Sequence, residues 1–416
     1  MESTLQPGKV APAFVLDSAP PSVAKKRSLE ASAIDVRVTQ GVAGLMGLER
    51  DWNTLLASQL ETSFSQSFAW QMACVRHLPG AVQDVHFFSF YADGRVIGIF
   101  PLRRVLHSVG GISLWLWALP THAHISLIDP LIAPDIDAAP LIHRLSEALN
   151  QRGSLPWHGL HLPNLPGNSA LLRSLLAHRP AMSMIENMGQ SMYFDCRDIE
   201  TAMRNCSSAF RRNLRRQRKK LEQHGKVTLS LARRGPELEA AFIDFLRLEA
   251  SGWKGEEGKG SAIRLHPYLM GFYTELRDGF GWEDGCHIFL LKLDGVAVAA
   301  QFCLLAGGTL SIQKIAYDQT WQAEAPGSLL MRETLDYACA DPTIHRLSLV
   351  TAPNWAKGRW NPECIDVQEI HVFNRRPRSL LAAALRWGKH RFAEPWQKIR
   401  QQLTRTAPPQ APKGEN

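Results

Sequence analysis

Asp294-Gly295-Val296-Ala297-Val298-Ala299, between the apolar runs Cys286–Leu293 and Val296–Leu305, is matched by Asp93-Gly94-Arg95-Val96-Ile97-Gly98 between Val85–Tyr91 and Val96–Val105. An Asp-Gly pair between two apolar runs signals a hairpin, because glycine tolerates the positive φ that a two-residue turn demands. The two pairs stand 201 residues apart (294 minus 93). A duplicated domain is the simplest account; two unrelated hairpins are the alternative, since Asp-Gly turns are common. Outward from the second hairpin, a third strand, Thr309–Tyr317, follows through Gly307-Gly308, and a helix pattern begins at Ser328. Upstream, the periodicity predicts one long basic helix over Ala202–His224, ended by Gly225. Strand-like and helical runs mix without steady β-α alternation. This predicts an α+β (mixed α/β) fold, each half a mixed, largely antiparallel sheet flanked by helices.

A chain of 416 residues, 45% hydrophobic and 21% charged, is a globular protein long enough for two domains. Residues 1–33, with Pro7, Pro12, Pro20 and Pro21, show no period and read as a disordered leader. The expected division is 34–196, 197–385, and a basic helix with a disordered tail over 386–416. In that last segment Phe392, Trp396, Ile399 and Leu403 make an apolar stripe with basic flanks, suited to a membrane surface, a partner or its own domain. No apolar run approaches the length of a membrane span, and Met1-Glu2-Ser3-Thr4 does not open a signal peptide. The expected location is cytoplasmic, with peripheral contact to the inner membrane left open. Seven scattered cysteines without a C-x-x-C pair read as reduced thiols.

The formal charge of +8 is local. Residues 201–226 hold nine Lys/Arg against Glu222, and 373–405 hold nine against Glu394. The first run is either a solvated helix or a cradle for tRNA, anionic polysaccharide or lipid headgroups, with Arg211, Arg212, Arg215 and Arg216 at its centre. A second anion site is suggested where Thr309–Tyr317 runs through Asp318–Ser328 into a helix. Backbone N–H groups and the helix dipole there suit a pyrophosphate; a plain helix start with Pro and Gly in its turn is the other reading.

Several segments together resemble the CelD-like (BioF-like) acetyltransferases of the GNAT superfamily. They are the basic stretch Ser207–Gly225, Glu249-Ala250-Ser251-Gly252-Trp253-Lys254-Gly255 with Gly260-Ser261-Ala262, Lys314-Ile315-Ala316-Tyr317-Asp318, Ala325-Pro326-Gly327-Ser328-Leu329-Leu330, and Lys357-Gly358-Arg359-Trp360. Gln322-x-x-Ala325-x-Gly327 is similar to the GNAT pyrophosphate signature, with Ala325 in place of the first glycine. Ala356 likewise replaces an aromatic residue of the family pattern. The resemblance spans about residues 36–390 and implies a tandem GNAT fold akin to the Fem-type aminoacyltransferases, the N-terminal copy degenerate. It implies transfer of an acyl group, acetyl in the first instance, from acyl-CoA to an amine or hydroxyl of a sugar, polysaccharide or envelope precursor, in cellulose or exopolysaccharide synthesis.

On that reading, Ile315, Tyr317, Gln322, Ala325, Gly327 and Ser328 bind acyl-CoA. Glu249, and after it Asp318, is the candidate base that frees an amine of its proton; a solvated last-turn carboxylate is the alternative for Glu249. Trp253, Lys254, Lys314, Lys357 and Trp360 are candidate acceptor contacts, although Trp253 also suits a loop anchor and Lys314 a side chain that snorkels to the strand end. Two other readings stay open: Fem-like transfer from aminoacyl-tRNA, and an inactive anion-binding scaffold. No nucleotide-binding, zincin or hydrolase motif occurs. His122-Ala123-His124 lacks an adjacent carboxylate cluster, so no metal is expected.

Overall fold

The computed structural model describes residues 29–79, 84–151, 156–178, 182–252 and 254–388. Thirteen strands among them form one sheet. In chain order these are β1 (Asp35–Gln40), β2 (His86–Ala92), β3 (Arg95–Val109), β4 (Ile112–Ala118), β5 (Leu131–Ile132), β6 (Gly159–Pro166), β7 (Ser183–Asp195), β8 (Val227–Ala232), β9 (Cys286–Leu293), β10 (Val296–Ala306), β11 (Thr309–Tyr317), β12 (Arg346–Ser348) and β13 (Glu363–Phe373). Trp253, most of the expected leader and the Phe392–Leu403 stripe lie outside the described residues.

Both Asp-Gly pairs make the same turn. Asp93 and Gly94 have φ of 51° and 73°, and Asp294 and Gly295 have 48° and 83°. Positive φ at both central positions is the type I′ geometry, whose twist matches that of the strands it joins. The likeness continues past the turn. Ile97 is an extra residue between the pairs Val96↔Tyr91 and Gly98↔Phe90, and Val298 is its counterpart between Ala297↔Lys292 and Ala299↔Leu291. The carbonyls of these two bulge residues accept from Ala133 N–H and Asp318 N–H, both at 2.9 Å. Turn and bulge recur at the same offset, four residues from the aspartate, and each bulge carbonyl is bonded by a later N–H, as an internal duplication requires and two unrelated hairpins do not.

The strand order is β1-β2-β3-β4-β6-β13-β7-β12-β11-β10-β9-β8, with β5 beside β3. It reads as a palindrome in which β1 to β4 and β6 mirror β8 to β12. The last strand of each half has crossed over: β7 pairs with β12, and β13 pairs with β6. β7 and β13 also pair with each other, antiparallel, from Glu363↔Tyr193 to Val372↔Ser183. All pairings are antiparallel except β4 with β6 and β11 with β12.

Helices cover the sheet, and the largest apolar cluster draws on both halves. Helix Phe68–His77 lies against helix Pro267–Gly281, with Trp70 edge-on to Phe272 at 5.5 Å. Arg76 and His77 both reach Glu275, at 2.8 and 2.6 Å. Gly271 permits this approach, since a Cβ there would stand 2.3 Å from His77 Nδ1. The expected long helix over Ala202–His224 is instead two, Ile199–Met203 and Ser208–Glu222. Ser207 breaks it: its backbone is extended and its hydroxyl accepts from Phe210 N–H at 3.1 Å, a serine N-cap. Phe210, Leu214 and Leu221 anchor the second helix, and Arg211, Arg212, Arg215 and Arg216 are exposed. No helix among the described residues is long and apolar enough to cross a membrane.

Candidate active site

β11 pairs with β12 only over Thr309–Ser311 and then parts from it. Gln313 initiates the divergence. It is an extra residue on β11, between Phe302↔Lys314 and Cys303↔Ile312, and the bulge bends the strand. The notch so opened is a cavity of about 190 Å³, lined among others by Gln313, Lys314, Ile315, Thr351, Pro353 and Trp355. Gln313 Nε2 is buried there without a hydrogen-bond partner. The mirror-image place in the N-terminal half is closed: β4 pairs with β6 to its last residue, Ala118↔His161, and Leu119 N–H continues to the His161 carbonyl at 3.0 Å. A larger cavity of about 480 Å³, beside Trp157, Asn150, Arg375 and Arg376, has neither carboxylate nor histidine in its lining and offers no base.

β11 delivers its end to the helix Pro326–Ala340 through a 3-10 turn, Gln319–Glu324. Ala325, at φ 52° and ψ 50°, has the left-handed conformation. That is the physical reason for glycine at this place in the GNAT signature; a Cβ here costs about 1–2 kcal/mol. Tyr317 lies over the turn, where a Cβ on Gly327 would sit 3.4 Å from Tyr317 Cδ1. Ile315, Tyr317, Gln322, Ala325, Gly327 and Ser328 thus follow one another along the notch and its loop. Some of the expected anion donors are already engaged: Ala325 N–H bonds the Gln322 carbonyl at 3.1 Å, Ser328 N–H the Ala325 carbonyl at 2.9 Å, and Pro326 has no N–H.

Lys314 does not snorkel. It points inward into a polar cluster assembled from both halves. Its Nζ lies 5.8 Å from the centre of the Tyr273 ring, and Tyr273 Oη is 2.9 Å from Nδ1 of His124, on the loop that follows β4. His122 stacks on His124 at 5.5 Å. Glu249, 4% exposed, completes the cluster from the last turn of helix Gly235–Ala250. Burial, reinforced by the Lys254 ammonium and opposed by Glu249, brings Lys314 down from 10.5 to about 8. Burial, with Lys314 next, drives His124 down to about 3, so its ring is neutral. Tyr273 is pushed well above 10 by burial and then by Glu249, so its hydroxyl keeps its proton within the hydrogen bond to His124 Nδ1.

Several expected roles change. Glu249 is not a solvated last-turn carboxylate: Oε1 pairs with Lys254 Nζ at 3.1 Å, and Oε2 accepts from Ile263 N–H at 2.8 Å. These bonds tie down both ends of the loop that follows the helix. Asp318 is a turn cap, accepting from Thr320 N–H and Oγ1 at 2.9 and 2.7 Å. Trp360 is 1% exposed, edge-on to Phe194 and Phe210 at 6.0 and 5.1 Å, and so belongs to the core. Lys357 is on the surface. The aromatic residue at the notch is Trp355, 41% exposed, which sequence reasoning missed. His124 and Tyr273 were missed too: the first was weighed as a metal ligand, and the second gives no local signal inside an amphipathic helix.

Residues 208–357 match the acetyltransferase (GNAT) domain family. No curated protein matches the chain. Among solved structures, the chain is similar to FemX, at 10% identity over 80% of this chain and 98% of that one, with a TM-score of 0.51. It is also similar to a conserved protein of unknown function from Bacteroides thetaiotaomicron (14% identity, 81% and 100% covered, TM-score 0.49). A third is a tandem GNAT protein from the clavulanic acid biosynthesis pathway (12% identity, 81% and 98% covered, TM-score 0.42). At 10% identity the likeness to FemX speaks to fold alone. The family match falls on the half that carries the open notch, and the GNAT domain there makes the chain an acyltransferase.

Proposed function

We propose that the chain transfers an acyl group from acyl-CoA, seated in the notch between β11 and β12, to an amine or hydroxyl acceptor held in the cluster between the halves. The observation that carries this reading is Lys314, which lines the notch and also projects into the cluster. Around it two ammonium groups, Lys314 and Lys254, share one buried carboxylate, Glu249. The positive charge left over favours an anion, either the oxyanion that forms when a thioester carbonyl is attacked or an acidic group on the acceptor. A thiol resembles cysteine, at about 8.5, so an ammonium near 8 hands its proton to the leaving thiolate at little cost in free energy. The acceptor's own proton then passes to water or to the Lys314 amine so left neutral, which restores the ammonium. Glu249 acts on this chemistry by holding Lys254 in place.

Phosphate groups of the donor would extend toward the turn at Ala325, with Gly327 beneath them. The acceptor class we favour, a sugar or polysaccharide precursor of the cell envelope, rests on the resemblance to the CelD-like family. Calorimetry with acetyl-CoA and CoA tests the donor. Micromolar binding is expected, and it should be lost in Gly327→Trp, whose indole would fill the turn beside Tyr317. No binding to the unaltered chain would overturn the reading.

A second reading is transfer from aminoacyl-tRNA. It draws on the likeness to FemX in fold and on the basic helix Ser208–Glu222. No carboxylate among the described residues lies within 4.0 Å of Arg211, Arg212, Arg215, Lys219 or Lys220, so this face is open to a polyanion. It predicts RNA binding that weakens steeply with salt, together with indifference to CoA.

A further inference from the structure

Away from the cleft, three histidines and a glutamate from three strands meet in the interior. His107 is on β3, His161 on β6, and Glu369 and His371 on β13, where a spacing of two puts both on one face. His371 lies directly across from His161 in the β13–β6 register. One ligand atom from each of the four lies within 4.8 Å of all the others. The His161 and His371 rings stack at 4.4 Å, and His107 stacks on His161 at 4.7 Å. His161 Nε2 bonds Glu369 Oε1, and His371 Nε2 stands 4.0 Å from the same oxygen. His371 is 0% exposed, yet neither of its ring nitrogens has a hydrogen-bond partner. A fully buried imidazole with two unpartnered nitrogens, aimed into a cluster of other ligand-type groups, is a costly arrangement that calls for a ligand.

We propose that His107, His161, Glu369 and His371 form a binding site for a zinc-class divalent transition ion. Three imidazoles and one carboxylate are the donor set such ions prefer, whereas calcium and magnesium take oxygen ligands. A tetrahedral zinc with bonds of about 2.0–2.2 Å needs donors roughly 3.3–3.5 Å apart, so the cluster closes by about an ångström on loading. The nearby guanidinium of Arg386 does not oppose the ion unscreened, because its Nε bonds Glu186 Oε1 at 2.7 Å. Glu186 is the β7 neighbour of Glu369 and forms an outer shell with Arg386. Four protein ligands leave no open position, so the ion is structural. It fastens the crossed-over β13 to β3 and β6, and it takes no part in acyl transfer.

The test uses the untagged full-length chain, purified from zinc-supplemented cells and dialysed against metal-free buffer. Elemental analysis should find about one zinc per chain. The chelator-stripped protein titrated with cobalt(II) should develop the visible d–d bands of a tetrahedral site, saturating at one equivalent. His107→Ala, at a half-buried position where folding is secure, and Glu369→Gln should each lose the zinc and the bands. Chelation should lower the unfolding temperature of the unaltered chain and leave that of His107→Ala unchanged. An unaltered chain with neither zinc nor cobalt bands, or bands that persist in both variants, overturns the proposal.

Discussion

Lys314→Met should stabilise the protein while abolishing its activity. Burial holds the ammonium at about 8 against 10.5 for a free lysine. At 1.36 kcal/mol per pH unit, the charged side chain costs the folded state about 3 kcal/mol relative to the unfolded one. The sign follows from proton counting. Below pH 8 both states are protonated and the whole cost is present. Between 8 and 10.5 the unfolded chain holds the proton and the folded one does not, so stability rises with pH, and above 10.5 the cost is gone. Methionine fills nearly the same volume without charge. It forfeits only the contact with the Tyr273 ring, worth about 0.5–1 kcal/mol. Lys314→Met should therefore gain about 2–3 kcal/mol at pH 7, and the gain should fade as pH approaches 10.5. Urea titrations of both proteins at pH 7, 8, 9 and 10, followed by tryptophan fluorescence, measure the difference directly. Acyl transfer at pH 7 should fall by about 100-fold or more, since an oxyanion donor is removed. A variant less stable at pH 7, or a difference that does not change with pH, would refute the reasoning.

Four further outcomes are expected. Ala325→Gly should relieve the left-handed backbone and raise stability by up to about 1 kcal/mol, read as a urea midpoint, whereas Ala325→Val should lower it. Glu249→Gln should cost about 3–5 kcal/mol by leaving Lys254 without its buried partner, and it should slow transfer; activity left intact would remove Glu249 from the site altogether. Trp360→Ala should lose about 3–5 kcal/mol of stability, while Trp355→Ala should leave the urea midpoint in place and raise the KM for the acyl donor. Residues 29–196 and 197–388 made separately should show no cooperative unfolding and should recover it when mixed, because each half then receives its missing strand.

What the sequence made legible was local. The Asp-Gly turns, β9 and β11 were readable because each depends on neighbours within a few residues. β1 went unread, since only Val36 and Val38 carry its apolar face and at the edge of the sheet neither is fully buried. The break at Ser207, in the uncharged stretch Asn205–Phe210, went unread because the cap serine shows only in its backbone conformation. The crossing of β7 and β13 left no trace, because an apolar strand fits equally well beside either set of partners and only the assembled register decides. The site divided on the same lines. Lys314 announced itself as a charge inside an apolar strand, whereas His124 and Tyr273 reach it from the other half and from a helix face. Trp360, expected at the acceptor, turns into the core, and Trp355, five residues earlier and given no role, faces the notch, because spacing in a loop does not say which indole turns inward. His107, His161 and the Glu369–His371 pair lie on strands too far apart in sequence to suggest one another.

The crossing of the last strands also sets the order in which this protein comes into being. β6 leaves the ribosome with one edge unmatched, and the strand that covers it, β13, is made some two hundred residues later. Throughout that interval the nascent chain exposes a β-edge able to capture other strands. Pro163 and Pro166 interrupt the row of donors on this edge, and Gly189 interrupts the twin edge on β7. The sheet is closed by its last strand, so its native state is reached only after synthesis has passed β13. Any slowing of translation within the C-terminal half lengthens the period in which the first half is complete in sequence and incomplete in structure.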